Sequence, residues 1–516
     1  MLVKTFSAAM MGLEATTITI EVNLTRGVQF HLSGLADTAV KESYDRIRAA
    51  MSNIGFKPPT ADITINLSPA DIRKEGTGYD LPLAIGILAA HGKVSETELN
   101  DYMMIGELGL DGKLKPVNGI LPVSILARRE KFKGLIVPLE NAKEAAVVNQ
   151  LDIFGMENLA DVISFFNGAD HYEPTIVNTR EEFYKQQTSF DLDFADVKGQ
   201  ESVKRALEVA ASGSHNIILI GPPGSGKSMM AKRLPSILPP LSLSESLETT
   251  QIHSVAGKLG KNVSLISQRP FRSPHHTLSQ VAMTGGTAKA MPGEVSLAHN
   301  GILYADELPE FSKQTLEVLR QPLEDRKITI SRANYSVEYP CSFMFVASMN
   351  PCPCGYYGDP SHHCVCTPGQ IQRYLSRISG PLMDRFDLHV DVPVVPFSDL
   401  SQIAPGEPSE TIRKRVIKAR QIQEERFKDY KGVHCNAQMT ERMLHLYAEP
   451  DAASVNMLRL AMERLKLSAR AYGRILKVAR TIADLEGSEK VQSQHIAEAI
   501  GYRNLDRGDW AERGNY

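Results

Sequence analysis

Lys227 and Ser228 close a glycine-rich stretch, Gly221, Pro222, Pro223, Gly224, Ser225 and Gly226, that follows directly on an apolar run at 216–220. A strand feeding such a turn and then a helix aims successive backbone N–H groups at phosphate oxygens. The lysine ammonium adds a positive charge and the serine hydroxyl a ligand for Mg²⁺. The expected ligand is a nucleoside triphosphate. A second apolar run ends on Asp306 and Glu307 and reads as a buried strand with carboxylates at its tip. In that position Asp306 shares the Mg²⁺ with Ser228 and Glu307 polarises the water that attacks the γ-phosphate, an arrangement for hydrolysis rather than passive binding. A third apolar run, 341–350, ends on Asn350, where a sensor of the γ-phosphate belongs. Arg385, in the segment 384–387, and Arg470 and Arg474, on a late helical stretch, carry charge that spacing alone does not assign, because a surface arginine is ordinarily solvated.

These side chains need a parallel sheet to hold them, and the chain is long enough to build one and more. At 516 residues it exceeds a single core. Its 42% apolar and 23% charged residues are those of an ordinary globular protein, and a net charge of −3 gives no whole-surface argument for nucleic acid, so any DNA contact is local. No apolar stretch reaches the roughly eighteen residues that cross a bilayer; the run at 81–90 reads as a buried helix. Gly12 and Glu14 interrupt the start, and alternation at 17–24 opens a folded domain, so the expected setting is cytoplasmic, without membrane contact. The expected class is α/β. Residues 1–170 form a first domain with strands at 61–67 and 133–138; 171–189 form a polar linker; 190–399 form the P-loop domain. Residues 400–516 form a helical lid after prolines at 393, 396, 405 and 408, with helices at 412–427, 453–465, 469–485 and 495–500.

With the segments 269–277, 292–301 and 350–355, these motifs make the chain resemble, nearly end to end, the AAA+ ATPases of the magnesium-chelatase-like branch and, within it, the bacterial ComM/YifB family. The resemblance implies a P-loop core, an N-terminal domain like that of Lon protease with a ribosomal-S5-like fold, and a C-terminal helical lid. It implies that Arg385 is an arginine finger inserted into a neighbour's ATP and Arg470 the sensor arginine of the lid. An active site completed in trans implies a ring, a homo-hexamer, and such an arginine is worth about 10³–10⁵ in rate. The implied function is a DNA helicase that promotes branch migration in recombination or natural transformation. The other reading is an ATP-driven remodeller of a protein partner, in the magnesium-chelatase manner. Gly78 and Leu121 stand where the Lon-like pattern needs a serine and a lysine, so the first domain is expected to be non-proteolytic; a displaced dyad would have to use Thr77 or Ser68.

Four of the six cysteines, Cys352, Cys354, Cys364 and Cys366, form two Cys-x-Cys pairs that suit structural Zn²⁺, with His362 or His363 as substitutes for one thiol. Because the cluster begins two residues after Asn350, a metal there would brace the sensor loop. Candidate contacts to single-stranded or branched DNA are Arg272, in a segment that also holds His275, His276 and Lys289, and Arg326, Lys327 and Arg332. The latter three belong to a hairpin at 326–339 turning at Ala333 and Asn334. Basic tips of this kind hold phosphates without reading bases. The paired histidines are expected to be structural, and the basic face of Arg413, Lys414, Arg415, Lys418 and Arg420 to serve solubility.

Overall fold

The computed structural model describes residues 2–187, 190–260, 263–287, 290–331, 336–359, 361–395, 406–465 and 467–503. Lys289, Arg332, the turn at Ala333 and Asn334, and the boundary at 399/400 lie outside them.

The alternating residues at the start form two long strands, Leu2–Met11 and Glu14–Thr25, paired antiparallel from end to end. They sit inside a mixed sheet of seven strands in the order Phe30–Ser33, Asp62–Ser68, Glu14–Thr25, Leu2–Met11, Tyr102–Met104, Gly134–Pro138, Asp152–Met156. Helix Asp80–Ala90, the apolar run noted above, is buried at every position and packs on the two long strands. Each fully buried leucine or isoleucine there contributes about 1.5–3 kcal/mol. Its length is that of a core helix, and among the described residues no helix is long and apolar enough to cross a membrane.

The second sheet has five strands, all parallel, in the order Phe271–Arg272, Ile302–Ala305, Met344–Met349, Ile217–Ile220, Leu388–Asp391. Its three inner strands are buried throughout, as expected where helices cover both faces. A separate antiparallel hairpin, Lys327–Ser331 with Ser336–Pro340, projects from this domain in the register Ser331 opposite Ser336. Helices Ser409–Phe427, Glu441–Tyr447, Ala452–Leu465, Ala469–Glu486 and Ser493–Gly501 make the C-terminal part, and their apolar faces share one core with the P-loop strand. The short helix Glu441–Tyr447 was not apparent in the sequence.

The polar stretch read as a linker is partly built into the fold. It carries helix Thr179–Gln186, whose Phe183 is 3% exposed, and Gln187 donates from Nε2 to the Leu241 carbonyl at 2.9 Å. Tyr172 and Val177 pack against apolar clusters of the first domain, so several apolar side chains dock the segment. The first domain also rests on the second through an apolar cluster of Leu121, Val147, Val148 and Leu265. Beside it, Glu144 accepts from the Leu121 N–H at 3.0 Å and from the Ser254 hydroxyl at 2.5 Å. At Gly12 a Cβ would stand 2.3 Å from Cγ1 of Val337, so the turn after the first strand meets the hairpin too closely for any side chain.

Candidate nucleotide site

Strand Ile217–Ile220 ends at Gly221, where a Cβ would lie 2.2 Å from the Val392 carbonyl oxygen. Gly224 and Gly226, at φ +77° and +86°, turn the chain through the left-handed region into helix Lys227–Arg233. The turn is also held from outside: Gln200 donates from Nε2 to the carbonyls of Ser225 at 3.0 Å and Pro393 at 2.7 Å. Lys227 Nζ lies 2.7 Å from the Gly221 carbonyl, 2.9 Å from that of Pro222 and 3.2 Å from Asn350 Oδ1. Burial lowers the pKa of Lys227, against the attraction of Asp306 and Glu307.

Asp306 follows strand Ile302–Ala305, separated from the P-loop strand by Met344–Met349, and meets the P-loop directly. Ser228 Oγ donates to its Oδ2 at 3.0 Å. Two groups that the sequence reading missed fix the other oxygen: Tyr304 Oη lies 2.8 Å from Oδ1, and Ser348 donates its hydroxyl to the same atom. Burial alone would raise the Asp306 pKa, but hydrogen bonds from Ser348, Tyr304 and Ser228 outweigh it and keep the carboxylate charged. Ser348 also accepts the Glu307 N–H at 3.3 Å, and Glu307 occupies the left-handed region at φ +52°. A glutamate held there is strained, and the backbone leaves the strand direction at this residue. An apolar run conceals this, since Tyr304 and Ser348 read as ordinary strand residues until two strands are placed side by side. The oxygen pair of Ser228 and Asp306 fits a hard divalent cation such as Mg²⁺.

Arg385 follows the short helix Gly380–Met383; it is paired with Glu324 and its side chain is only 11% exposed. Arg470, 66% exposed, reaches Asp384 at 3.6 Å, and Arg474 bonds Asp387 at 2.9 Å. The late helix Ala469–Glu486 therefore grips the segment 384–387. Among the described residues neither Arg385 nor Arg470 bonds a P-loop side chain.

Sequence comparison gives this arrangement relatives. Family models described as "Magnesium chelatase, subunit ChlI", "Subunit ChlI of Mg-chelatase" and "Magnesium chelatase, subunit ChlI C-terminal" match residues 193–400, 20–141 and 406–503. The chain is 43% identical over 505 residues to the competence protein ComM of Haemophilus influenzae, covering 97% of each. It is 42% identical over 504 residues to the protein YifB of Escherichia coli, covering 97% of this chain and 96% of the relative. The chain belongs to the ComM/YifB family of magnesium-chelatase-like proteins. Its ATPase domain is of the AAA+ type, for which ATP and Mg²⁺ are the implied ligands. Lon protease 2 of Bacillus subtilis is 32% identical over 120 residues, 23% of this chain and 20% of that relative, which places a Lon-like likeness at the N-terminus.

In this ComM/YifB chain the four cysteines converge: Cys352 Sγ is 3.4 Å from that of Cys354 and 3.7 Å from that of Cys364, and Cys354 Sγ is 3.6 Å from Cys364 Sγ. All four ligand atoms lie within 4.8 Å of one another. Thiolates about 2.3 Å from a tetrahedral Zn²⁺ stand roughly 3.8 Å apart, so the cage fits that ion. Burial raises the Cys354 thiol, but the N–H groups of Tyr356 and Val365 hold it down at about 6. His362 is outside the cluster, bonded to Asp359 and stacked on Tyr356, and His363 is exposed.

The basic residues proposed for DNA separate. Arg272 is not on a projecting loop: it lies in the edge strand and forms a two-pronged ion pair with Glu294 at 2.6 and 2.7 Å, which occupies its guanidinium. Arg269 is likewise engaged, by Glu245 and the Pro239 and Asn300 carbonyls. Arg326 sits at the hairpin base, donating to Ser342 at 3.1 Å. Lys327 is half exposed and pairs with Glu338 across the hairpin at 2.9 Å. The His275 and His276 ring centres lie 4.1 Å apart with the planes tilted by 34°, and His275 Nδ1 is 2.9 Å from the Thr277 hydroxyl.

Proposed function

We propose that the chain is a ring-forming motor that hydrolyses ATP between adjacent subunits, most simply as a homo-hexamer, and spends that energy moving single-stranded or branched DNA. The observation that carries it is the assembled pair of Asp306, fixed by Ser228, Tyr304 and Ser348, and Glu307, turned out of the strand beside it. Lys227 and the P-loop N–H groups hold the phosphates, Asn350 orients the γ-phosphate, and Glu307 takes a proton from the attacking water. Mg²⁺ held at Ser228 and Asp306 supplies charge neutralisation across the phosphates. Arg385 then acts on a neighbour's ATP after leaving Glu324, and Arg470 closes the lid. DNA is gripped by the hairpin through Lys327 and Arg332. The relative named a competence protein supports a setting in natural transformation; there, or in general recombination, the motor promotes branch migration in the cytoplasm. Zn²⁺ at Cys352, Cys354, Cys364 and Cys366 braces the Asn350 loop, and the domain limits are those given by the sequence.

The test joins both claims. Lys227→Ala should lose ATP binding. Glu307→Gln and Arg385→Ala should bind ATP but fall at least about 10³-fold in turnover. Wild-type protein should migrate a three-stranded DNA junction with ATP, and Arg332→Ala should not. Full hydrolysis without any strand movement would eliminate the DNA reading and favour action on a protein partner.

A further inference from the structure

A cavity of about 1070 Å³ opens between the first sheet and the ATPase domain, at the upper end of the size range of ligand pockets. One wall is residues 8–12, the end of strand Leu2–Met11. That strand is paired along its whole length on one side. On the other Phe6 pairs with Met103, and residues 8–11 have no second strand neighbour among the described residues. Among the described residues no backbone bond outside the sheet reaches residues 8–11 either. They are a strand edge without a second strand, lining a cavity, buried at Ala8 and Ala9 and exposed at Met11, the feature to which an extended peptide adds by main-chain hydrogen bonding.

Two further observations point to an occupant and to its charge. Tyr79 lines the cavity at 3% exposure, and no partner bonds its hydroxyl among the described residues. Four carboxylates, Asp37, Asp71, Glu75 and Glu107, line the same space with one cation, Arg73; Arg73 pairs with Glu75 at 2.9 Å and Lys115 with Glu107 at 3.7 Å, so the charge left for an occupant is that of Asp37 and Asp71. Asp37 accepts from the N–H groups of Val40 and Gly76, whereas Asp71 is exposed. The cavity carries no assembled nucleophile: the Thr77 hydroxyl is donated to Glu107, and buried Lys74 is tied to the Pro69 carbonyl. Its far side is Met291 and Tyr339 of the ATPase domain, so an occupant touches the base of the hairpin.

We infer that this cavity is a docking site for an extended, basic polypeptide segment of a partner protein, added as a strand at residues 8–11 and held uncut among the carboxylates. The inference is independent of the motor's substrate. It is tested on the full chain without nucleotide, by fluorescence anisotropy with a labelled ten-residue peptide of alternating valine and lysine. The controls are the same peptide with every backbone N–H methylated, which keeps the side-chain charge but blocks both edges for strand pairing, and a valine–glutamate peptide. The lysine peptide should bind saturably, both controls at least tenfold more weakly, and Asp71→Lys should weaken it about tenfold. Met10→Pro should do the same if it folds; Asp71→Lys, at an exposed position, keeps the test decisive if it does not. Equal binding of the N-methylated peptide, or indifference to Asp71→Lys, would overturn the proposal.

Discussion

Asp306 is useful only if one of its oxygens is left for the metal and the other is immobilised. Tyr304 and Ser348 do the immobilising, from the same strand and from the strand alongside. Groups that orient a metal ligand from behind commonly contribute tenfold to a hundredfold in metal affinity or activity. Ser348→Ala should therefore raise the Mg²⁺ concentration for half-maximal ATP hydrolysis about tenfold or more, and Tyr304→Phe should do so less, since the ring still fills its buried place. A magnesium titration of each variant checks this; an unchanged half-saturation with a lowered maximal rate would assign these residues to packing alone. The P-loop, Asp306 and Glu307 were legible in the sequence because each motif is contiguous. Tyr304 and Ser348 were not, because their role exists only across a parallel strand pair.

Among the secondary elements, the lid helix Ala469–Glu486 is joined to the P-loop sheet through Asp387. Burial opposes the charge on Asp387, but His215 and Arg474 hold its carboxyl well below the usual carboxylate range. Removing one partner of a buried pair leaves the other charge stranded, at a cost of about 3 kcal/mol or more. Arg474→Ala should lower the unfolding free energy by that order in urea titrations, whereas Arg470→Ala, at an exposed position, should leave stability unchanged and act on catalysis. The cysteine knuckle makes a second element-scale prediction. Gly355 packs against Pro223 of the P-loop so closely that a Cβ would meet its ring at 2.6 Å, which ties the knuckle to the nucleotide loop. Metal analysis should find one zinc per chain, lost in Cys352→Ser and kept in Cys435→Ser. Less than half an equivalent in the wild type would exclude the structural-zinc reading.

On the scale of the whole molecule, the first domain is locked to the ATPase domain through a carboxyl group that is buried among uncharged partners. Burial pushes the Glu144 pKa up, and bonds from Ser254 and Leu121 only partly offset it. A carboxyl whose folded pKa lies above its ordinary 4.5 binds its proton more tightly when folded, so its contribution to stability declines as pH rises from that value through the folded pKa. Glu144→Gln keeps the acceptor and removes the titration. Its melting temperature relative to wild type should therefore rise between about pH 4.5 and 8. A difference that stays flat across that range would show that Glu144 titrates as an ordinary carboxylate.

The sequence by itself determined the chemistry and the class of fold: a contiguous P-loop, an acidic pair at a strand end, alternation at the N-terminus and helical periodicity after residue 408 each encode their structure locally. Even the hairpin at 326–339 was legible from alternation alone. Only the tertiary structure decided which charges are free. Arg272 reads as available for DNA in the sequence, but Glu294, 22 residues on, holds it in an ion pair, and the four thiols that the sequence already groups meet within 4.8 Å only because the loop between the pairs folds back. The physical reason is the same in each case: a side chain's chemistry is written in its own residue, but its availability depends on partners that folding alone supplies.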